Sequence, residues 1–248
     1  FDFSYSEPYS YGHGWHTCKN PGEWNFRTWR NALYASQLFT QKIGYGAVFL
    51  ENHDYPRACQ KFVPEKDHSP AAQKMLGNLF FFLRGIPFIY QGQELGMTNP
   101  GFTSIDPIDD ISTKNHYRVA LADGLTPEEA MPLVARYSRD NARIPFPWDD
   151  SENGGFSPAG VKPWLPVHPD YKTVNAKAET ANPNGVYAFY KEMIRLRTES
   201  EYAKTILEAR DRTVAPDTAP AQGLFLMKVF FEPEDPRSFE LKQVPFFM

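Results

Sequence analysis

The stretch Ala47-Val-Phe-Leu-Glu-Asn-His-Asp54 limits the fold more than any other, because an unbroken apolar run stops abruptly in four polar residues. A short apolar run bounded by polar or breaker residues reads as a buried strand of a parallel sheet. Polar groups at the carboxyl end of such a strand stand where parallel barrels bind substrate. A strand is therefore expected over 47–51, with Asn52, His53 and Asp54 on its rim. Gly85-Ile-Pro-Phe-Ile-Tyr-Gln-Gly-Gln-Glu-Leu-Gly96 repeats the pattern, and a second strand is expected over 86–90.

The segments around these runs carry helical signals. Asn25 is placed to cap a helix in which Phe26, Trp29 and Leu33 share one face up to about residue 39. Ser69 and Pro70 read as N-cap and first helical residue. Met75, Leu76, Leu79, Phe82 and Leu83 then form an apolar stripe, and Gly85 ends it. Helix, strand, loop, helix, strand is a parallel αβ repeat, and such crossovers make neighbouring parallel strands the default. Helices over 70–84 and 185–199 are expected to pack outside the two strands. Over 97–183 the pattern breaks into loops rich in Pro, Asp, Asn and Gly around one short acidic helix expected near 126–137. A long insertion of this kind is usually functional. Periodicity returns at Val186, Phe189, Tyr190, Met193, Ile194 and Leu196, which predicts a closing helix to about residue 200. Residues 1–3 read as the stub of a strand. Leu224 to Phe231 reads as a strand at the opening of a small β domain, which sets a boundary between 1–203 and 204–248.

Composition narrows the partner. With 42% hydrophobic residues the chain can bury a large core, and its 22 prolines and 16 glycines are spread rather than clustered. A net charge of -4 without any Lys or Arg run gives no electrostatic footprint for nucleic acid or an anionic membrane. No apolar stretch reaches the ~20 residues that cross a bilayer. Cys18 and Cys59 have neither metal-ligand nor disulfide-framework spacing, which favours a reducing, cytoplasmic setting. Phe1 in place of Met fits an excised piece. Aromatic residues at 15% together with carboxylates suit a neutral sugar, whose apolar ring faces stack on aromatic planes while its hydroxyls take charge-assisted hydrogen bonds.

Three segments together carry a family resemblance: Asn52-His53-Asp54, Tyr90 to Gly96, and Arg139-Asp-Asn-Ala-Arg143 followed by Pro145, Trp148 and Asp149-Asp-Ser-Glu-Asn153. They resemble the C-terminal half of an α-amylase superfamily glycoside hydrolase. The third is similar to a segment of the branch holding oligo-1,6-glucosidases, dextran glucosidases, sucrose isomerases and trehalose-6-phosphate hydrolases. The resemblance covers roughly residues 1 to 207. It implies an α/β chain forming strands six to eight of a (β/α)8 TIM barrel, followed by the start of a small β-sandwich domain.

It also implies roles. Asp54 matches the third catalytic carboxylate, which orients the −1 sugar and stabilises its oxocarbenium-like transition state. His53 matches the neighbouring sugar-binding histidine. Arg143 matches the arginine that binds the non-reducing-end glucose together with an N-terminal aspartate, and a planar guanidinium suits fixed vicinal hydroxyls. Arg57 joins the substrate-binding set, and Glu94 is either a structural hydrogen-bonding group or a further substrate contact. The implied reaction is retaining hydrolysis of a terminal α-glucosyl bond, α-1,6 or α-1,4, in short oligosaccharides, without a cofactor. A transglucosylase such as a sucrose isomerase is the alternative enzyme, and a non-catalytic sugar-binding fragment the alternative class.

Two departures qualify the match. Tyr55 stands where these relatives commonly have Gln, which bears on the subsite beyond the cleavage point. Retaining glycosidases also need a nucleophile and a general acid roughly 5 Å apart. In this family these lie on strands four and five, ahead of Phe1. The chain alone is therefore expected to be inactive and, with open strand edges, to self-associate. Asp149-x-Ser-x-Asn-Gly154 imitates half of a calcium loop, but the position needing a bidentate Glu is Gly160, so no metal is assigned. Asp106, Asp109 and Asp110 read as a solvated acidic loop. His13, His16, His68, His116 and His168 lack ligand spacing and receive no role.

Overall fold

The computed structural model describes residues 14–19 and 26–199; the expected features at 1–3, Asn25 and 204–248 lie outside them. Helices α1 (Gly14–Lys19) and α2 (Phe26–Ile43) precede β1 (Ala47–Phe49). A short α3 (Ala58–Phe62), a 3-10 turn at Glu65–Asp67 and α4 (Pro70–Phe81) lead into β2 (Ile86–Phe88). The strands pair in parallel, with Ala47 opposite Ile86, Val48 opposite Pro87 and Phe49 opposite Phe88. Parallel pairing requires a crossover that carries the chain back along the strand, and α4 supplies it. Both strands are shorter than the apolar runs suggest, yet Leu50 and Glu51 stay buried beyond the last pair.

Local chemistry sets these boundaries. The Ser69 hydroxyl accepts from the Ala72 N–H at 3.2 Å and Pro70 opens α4, satisfying a donor that the first turn leaves orphaned. Gly85 turns the chain into β2 at φ +148°. A Cβ there would lie 2.4 Å from the Gly46 carbonyl oxygen and 2.5 Å from Val48 Cγ2, so no other residue fits that approach.

One face of the sheet is covered by α4 and by α9 (Val186–Glu199). Val48, Leu50, Phe80, Phe81, Val186, Tyr190 and Met193 form this core, and Phe81 meets Tyr190 edge-on at 5.2 Å between ring centroids. Burying each phenylalanine contributes roughly 1.5–3 kcal/mol. Arg197 of α9 donates to the carbonyls of Phe81, Leu83 and Gly85, closing the open end of α4. On the opposite face, in register, Ile86 and Phe88 remain 57% and 55% exposed.

The segment expected to be mostly loop is more helical than its sequence suggests. It contains α5 (Ile111–Ala122), α6 (Pro127–Ala135), α7 (Asp140–Arg143) and α8 (Ala176–Ala181), with a 3-10 turn at Glu152–Gly155. Only α6 was expected. Its capping box, Thr126 with Glu129, and its leading Pro127 are the signals that make it legible. A second core gathers Leu95, Met97, Phe102, Ile108, Met131, Val134, Ile144 and Leu165. The acidic loop reading holds for exposed Asp106 and Asp109 and fails for Asp110, which is 3% exposed and caps α5. Among the described residues, no helix is long and apolar enough to cross a membrane.

Candidate functional site

Because β1 and β2 are parallel, the segments that follow them emerge at the same end of the sheet, and both rims expected from the sequence lie there. Glu51, at the end of β1, accepts from Arg57 Nη1 at 2.9 Å through one carboxylate oxygen and from the Ala58 N–H at 2.9 Å through the other. This buried carboxylate ties down the start of α3 and, with it, the loop of residues 52–57. Within the loop, the Asn52 side-chain carbonyl accepts from the Asp54 N–H at 2.8 Å, the usual asparagine turn. Asp54 is thereby presented at the rim, partly exposed.

Three cationic or titratable side chains meet its carboxylate. Arg143 Nη2 lies 3.1 Å and Arg139 Nη1 3.7 Å from Oδ1, while His53 Nε2 lies 3.2 Å from Oδ2. Arg143 also donates through Nε to the His53 carbonyl at 2.9 Å. Residues some ninety positions apart in the chain thus form one charged cluster.

The turn that delivers both arginines is held from beneath. Asp140, 1% exposed, accepts from the N–H groups of Asp109 and Asp110 at 2.6 and 2.7 Å, and its other oxygen lies 3.8 Å from Arg143 Nη1. Asn141 donates to the carbonyls of Ala135 and Ser138 at 2.8 and 2.9 Å. The Tyr90 hydroxyl, beyond β2, donates to the Ala142 carbonyl at 3.1 Å and joins the second rim to the same turn. Asp110 grips Arg139 through Nε at 2.9 Å and Nη2 at 2.5 Å. Burial would raise the Asp110 carboxyl, but Arg139, Thr113 and backbone N–H groups together hold it below the ordinary carboxylate value.

His53, Asp54 and Arg143 therefore come together, whereas Arg57 and Glu94 sit deeper. Arg57 is 1% exposed, with Nη1 engaged by Glu51 and the Gln91 carbonyl and its guanidinium 5.5 Å from the Tyr90 ring centroid. It braces the two rims. Glu94 has a buried Oε2 without a hydrogen-bond partner among the described residues. Burial raises its carboxyl above the ordinary value despite nearby backbone N–H groups.

Glu51, Arg139, Asp110 and Asp140 received no role in the sequence reading. The available signal was the i, i+4 spacing of Arg139 and Arg143, which puts both on one side of a helical turn. Asp149 accepts from the Ser151 N–H at 2.8 Å within its own loop. Among the described residues, no group of three or more His, Cys, Asp or Glu is arranged to hold a metal.

Residues 5–205 match the family model described as "Alpha amylase, catalytic domain". The oligo-1,6-glucosidase of Parageobacillus thermoglucosidasius is 40% identical over 186 residues, which are 73% of this chain and 33% of that protein. Bacillus licheniformis trehalose-6-phosphate hydrolase superposes with a TM-score of 0.71 at 33% identity, covering 79% of this chain and 34% of that one. An isomaltulose synthase variant from Erwinia rhapontici, solved with D-glucose, gives 0.67 at 36% identity, covering 74% and 33%. The chain spans about a third of the length of the curated relatives it matches.

Proposed function

The chain belongs to the alpha-amylase family, within its catalytic domain, and from that premise we propose that it supplies the −1 sugar site of a retaining α-glucosidase acting on terminal α-glucosyl bonds of short oligosaccharides. The observation that carries this reading is the convergence of Arg143 and His53 on Asp54, at the end of a parallel strand where such folds bind substrate. Asp54 faces the positive charge that develops on the sugar as the glycosidic bond breaks. Arg143 and His53 hold the hydroxyls of the terminal glucose. Arg57 and Glu94 shape the wall behind them. The nucleophile and general acid come from a different part of the barrel, so this chain by itself does not turn over.

The glucose complex of the similar isomaltulose synthase supports the substrate class. Kinetics of the full-length protein carrying this chain test the reading on isomaltose-like and sucrose-like substrates. Asp54→Asn lowers kcat a hundredfold or more, about 3–4 kcal/mol of lost electrostatic stabilisation, with little change in KM. Arg143→Ala raises KM strongly as well, since its contacts act on bound and reacting sugar alike, and Arg143→Lys rescues little without the planar fork. Near wild-type kcat/KM for Asp54→Asn, or turnover of an aryl α-glucoside by this chain alone, overturns it.

A further inference from the structure

We infer that Asp110 is a positioning residue whose grip on Arg139 aims a second guanidinium at Asp54. This rests on the proposed role of Asp54 and adds two residues to it. An N-cap aspartate needs only one or two donors from its own helix and works while exposed to water. Asp110 has those donors, the Ser112 N–H at 3.1 Å and the Thr113 hydroxyl at 2.7 Å. It also accepts from Arg139 three times, through the backbone N–H at 3.2 Å, Nε at 2.9 Å and Nη2 at 2.5 Å. Five donors converge on one buried carboxylate, and helix capping accounts for two.

The grip is reciprocal. Asp140, next to Arg139 in sequence, accepts from the backbone N–H of Asp109 and Asp110, so each strand of chain holds the other. With Nε and Nη2 committed to Asp110, Nη1 is the nitrogen turned toward Asp54, 3.7 Å from the oxygen that Arg143 contacts. A free arginine loses rotamer freedom when it is fixed. Here Asp110 supplies that ordering. Arg139 therefore acts through Asp54: it sets where the carboxylate stands as charge develops on the sugar, which is an effect on the reaction step rather than on binding.

The test is a kinetic double-mutant cycle in the full-length protein. Arg139→Gln and Asp110→Asn each lower kcat about tenfold or more with KM within about threefold, the size expected when a reacting group is slightly misplaced. The double variant is no worse than either single. On an Asp54→Asn background Arg139→Gln adds nothing, whereas a merely structural role costs the same factor there. Arg139→Lys rescues little, because an ammonium cannot span Asp110 and Asp54 together. If Asp110→Asn lowers Tm too far to fold, Arg139→Gln carries the cycle. Wild-type kcat in Arg139→Gln, or an undiminished loss on the Asp54→Asn background, overturns the inference. Near wild-type activity of Asp54→Asn overturns the proposed function instead. The inference is then judged in the full-length protein from the Asp54 side-chain carboxyl ¹³C resonance. Arg139→Gln and Asp110→Asn displace it alike if the inference holds, and an unmoved resonance overturns it.

Discussion

The two hydrophobic cores among the described residues are held in different ways. Around β1, β2, α4 and α9 the packing is aromatic and aliphatic, with Phe80, Phe81 and Tyr190 at its centre. Around α5, α6 and α7 the apolar cluster surrounds buried polar side chains that take the place of regular backbone pairing. Asp140 accepts two backbone N–H groups, Asn141 donates to two backbone carbonyls, and Asp110 joins a helix start to an arginine. The first core is a platform held chiefly by non-directional burial, with Arg197 fastening α9 to the end of α4. The second must aim Arg139 and Arg143 at a single carboxylate, and directional bonds fix orientation as burial does not.

Substitution by an apolar residue separates the two modes most strongly. Phe81→Ala costs about 3–5 kcal/mol, and Phe81→Leu recovers much of it because a core of this kind tolerates apolar residues of roughly the right size. Asp140→Ala takes the acceptor from the Asp109 and Asp110 N–H groups and leaves the buried Asp110 donor unsatisfied, at about 1–3 kcal/mol, and Asp140→Leu recovers none of it. Urea unfolding of the four variants is the check. Equal recovery by leucine at both sites breaks the comparison.

Acid distinguishes the regions next. The folded-state value of Asp110 lies below its ordinary value, so its stabilising contribution is fully present above the unfolded value near 3.8 and is lost as pH falls through the lower, folded value. Unfolding followed from pH 6 to pH 3 shows a steeper loss for the native chain than for Asp110→Asn, whereas Phe81→Leu lowers stability without changing that slope. Parallel profiles for the native chain and Asp110→Asn contradict the assignment.

The smallest effects are at the helix starts, where the two regions behave alike. Ser69→Ala and Thr126→Ala each cost about 1 kcal/mol, measured as a fall in the urea midpoint at constant m-value. A much larger loss at Thr126 means that the α6 cap also holds the polar network.

The same division decides what was legible in the sequence. The strands, α4, α6 and α9 carry apolar periodicity or cap chemistry within a few residues, and those signals are local. Asn-His-Asp after an apolar run pointed to the β1 rim by residue type alone, and Arg143 was singled out through the segment's resemblance, whereas Arg139 needed the fold to join them. Helix α5 has only Thr113 and Ala120 buried, so it shows no stripe, and its start depends on Asp110, whose partner Arg139 is 29 residues away. Arg57 looked like a rim residue beside Asp54, and only the fold turns it inward onto Glu51. A buried carboxylate and a solvated one have the same letter. Their difference lies in contacts that sequence spacing does not encode.

A crystal structure of the full-length protein with glucose bound tests the central claim most directly. The account predicts one glucose ring at the carboxyl end of β1, with the Asp54 carboxylate beside its anomeric carbon, Arg143 and His53 within hydrogen-bonding distance of its hydroxyls, and Arg139 still held by Asp110. Glucose bound elsewhere, with Asp54 and Arg143 paired only to each other, contradicts it.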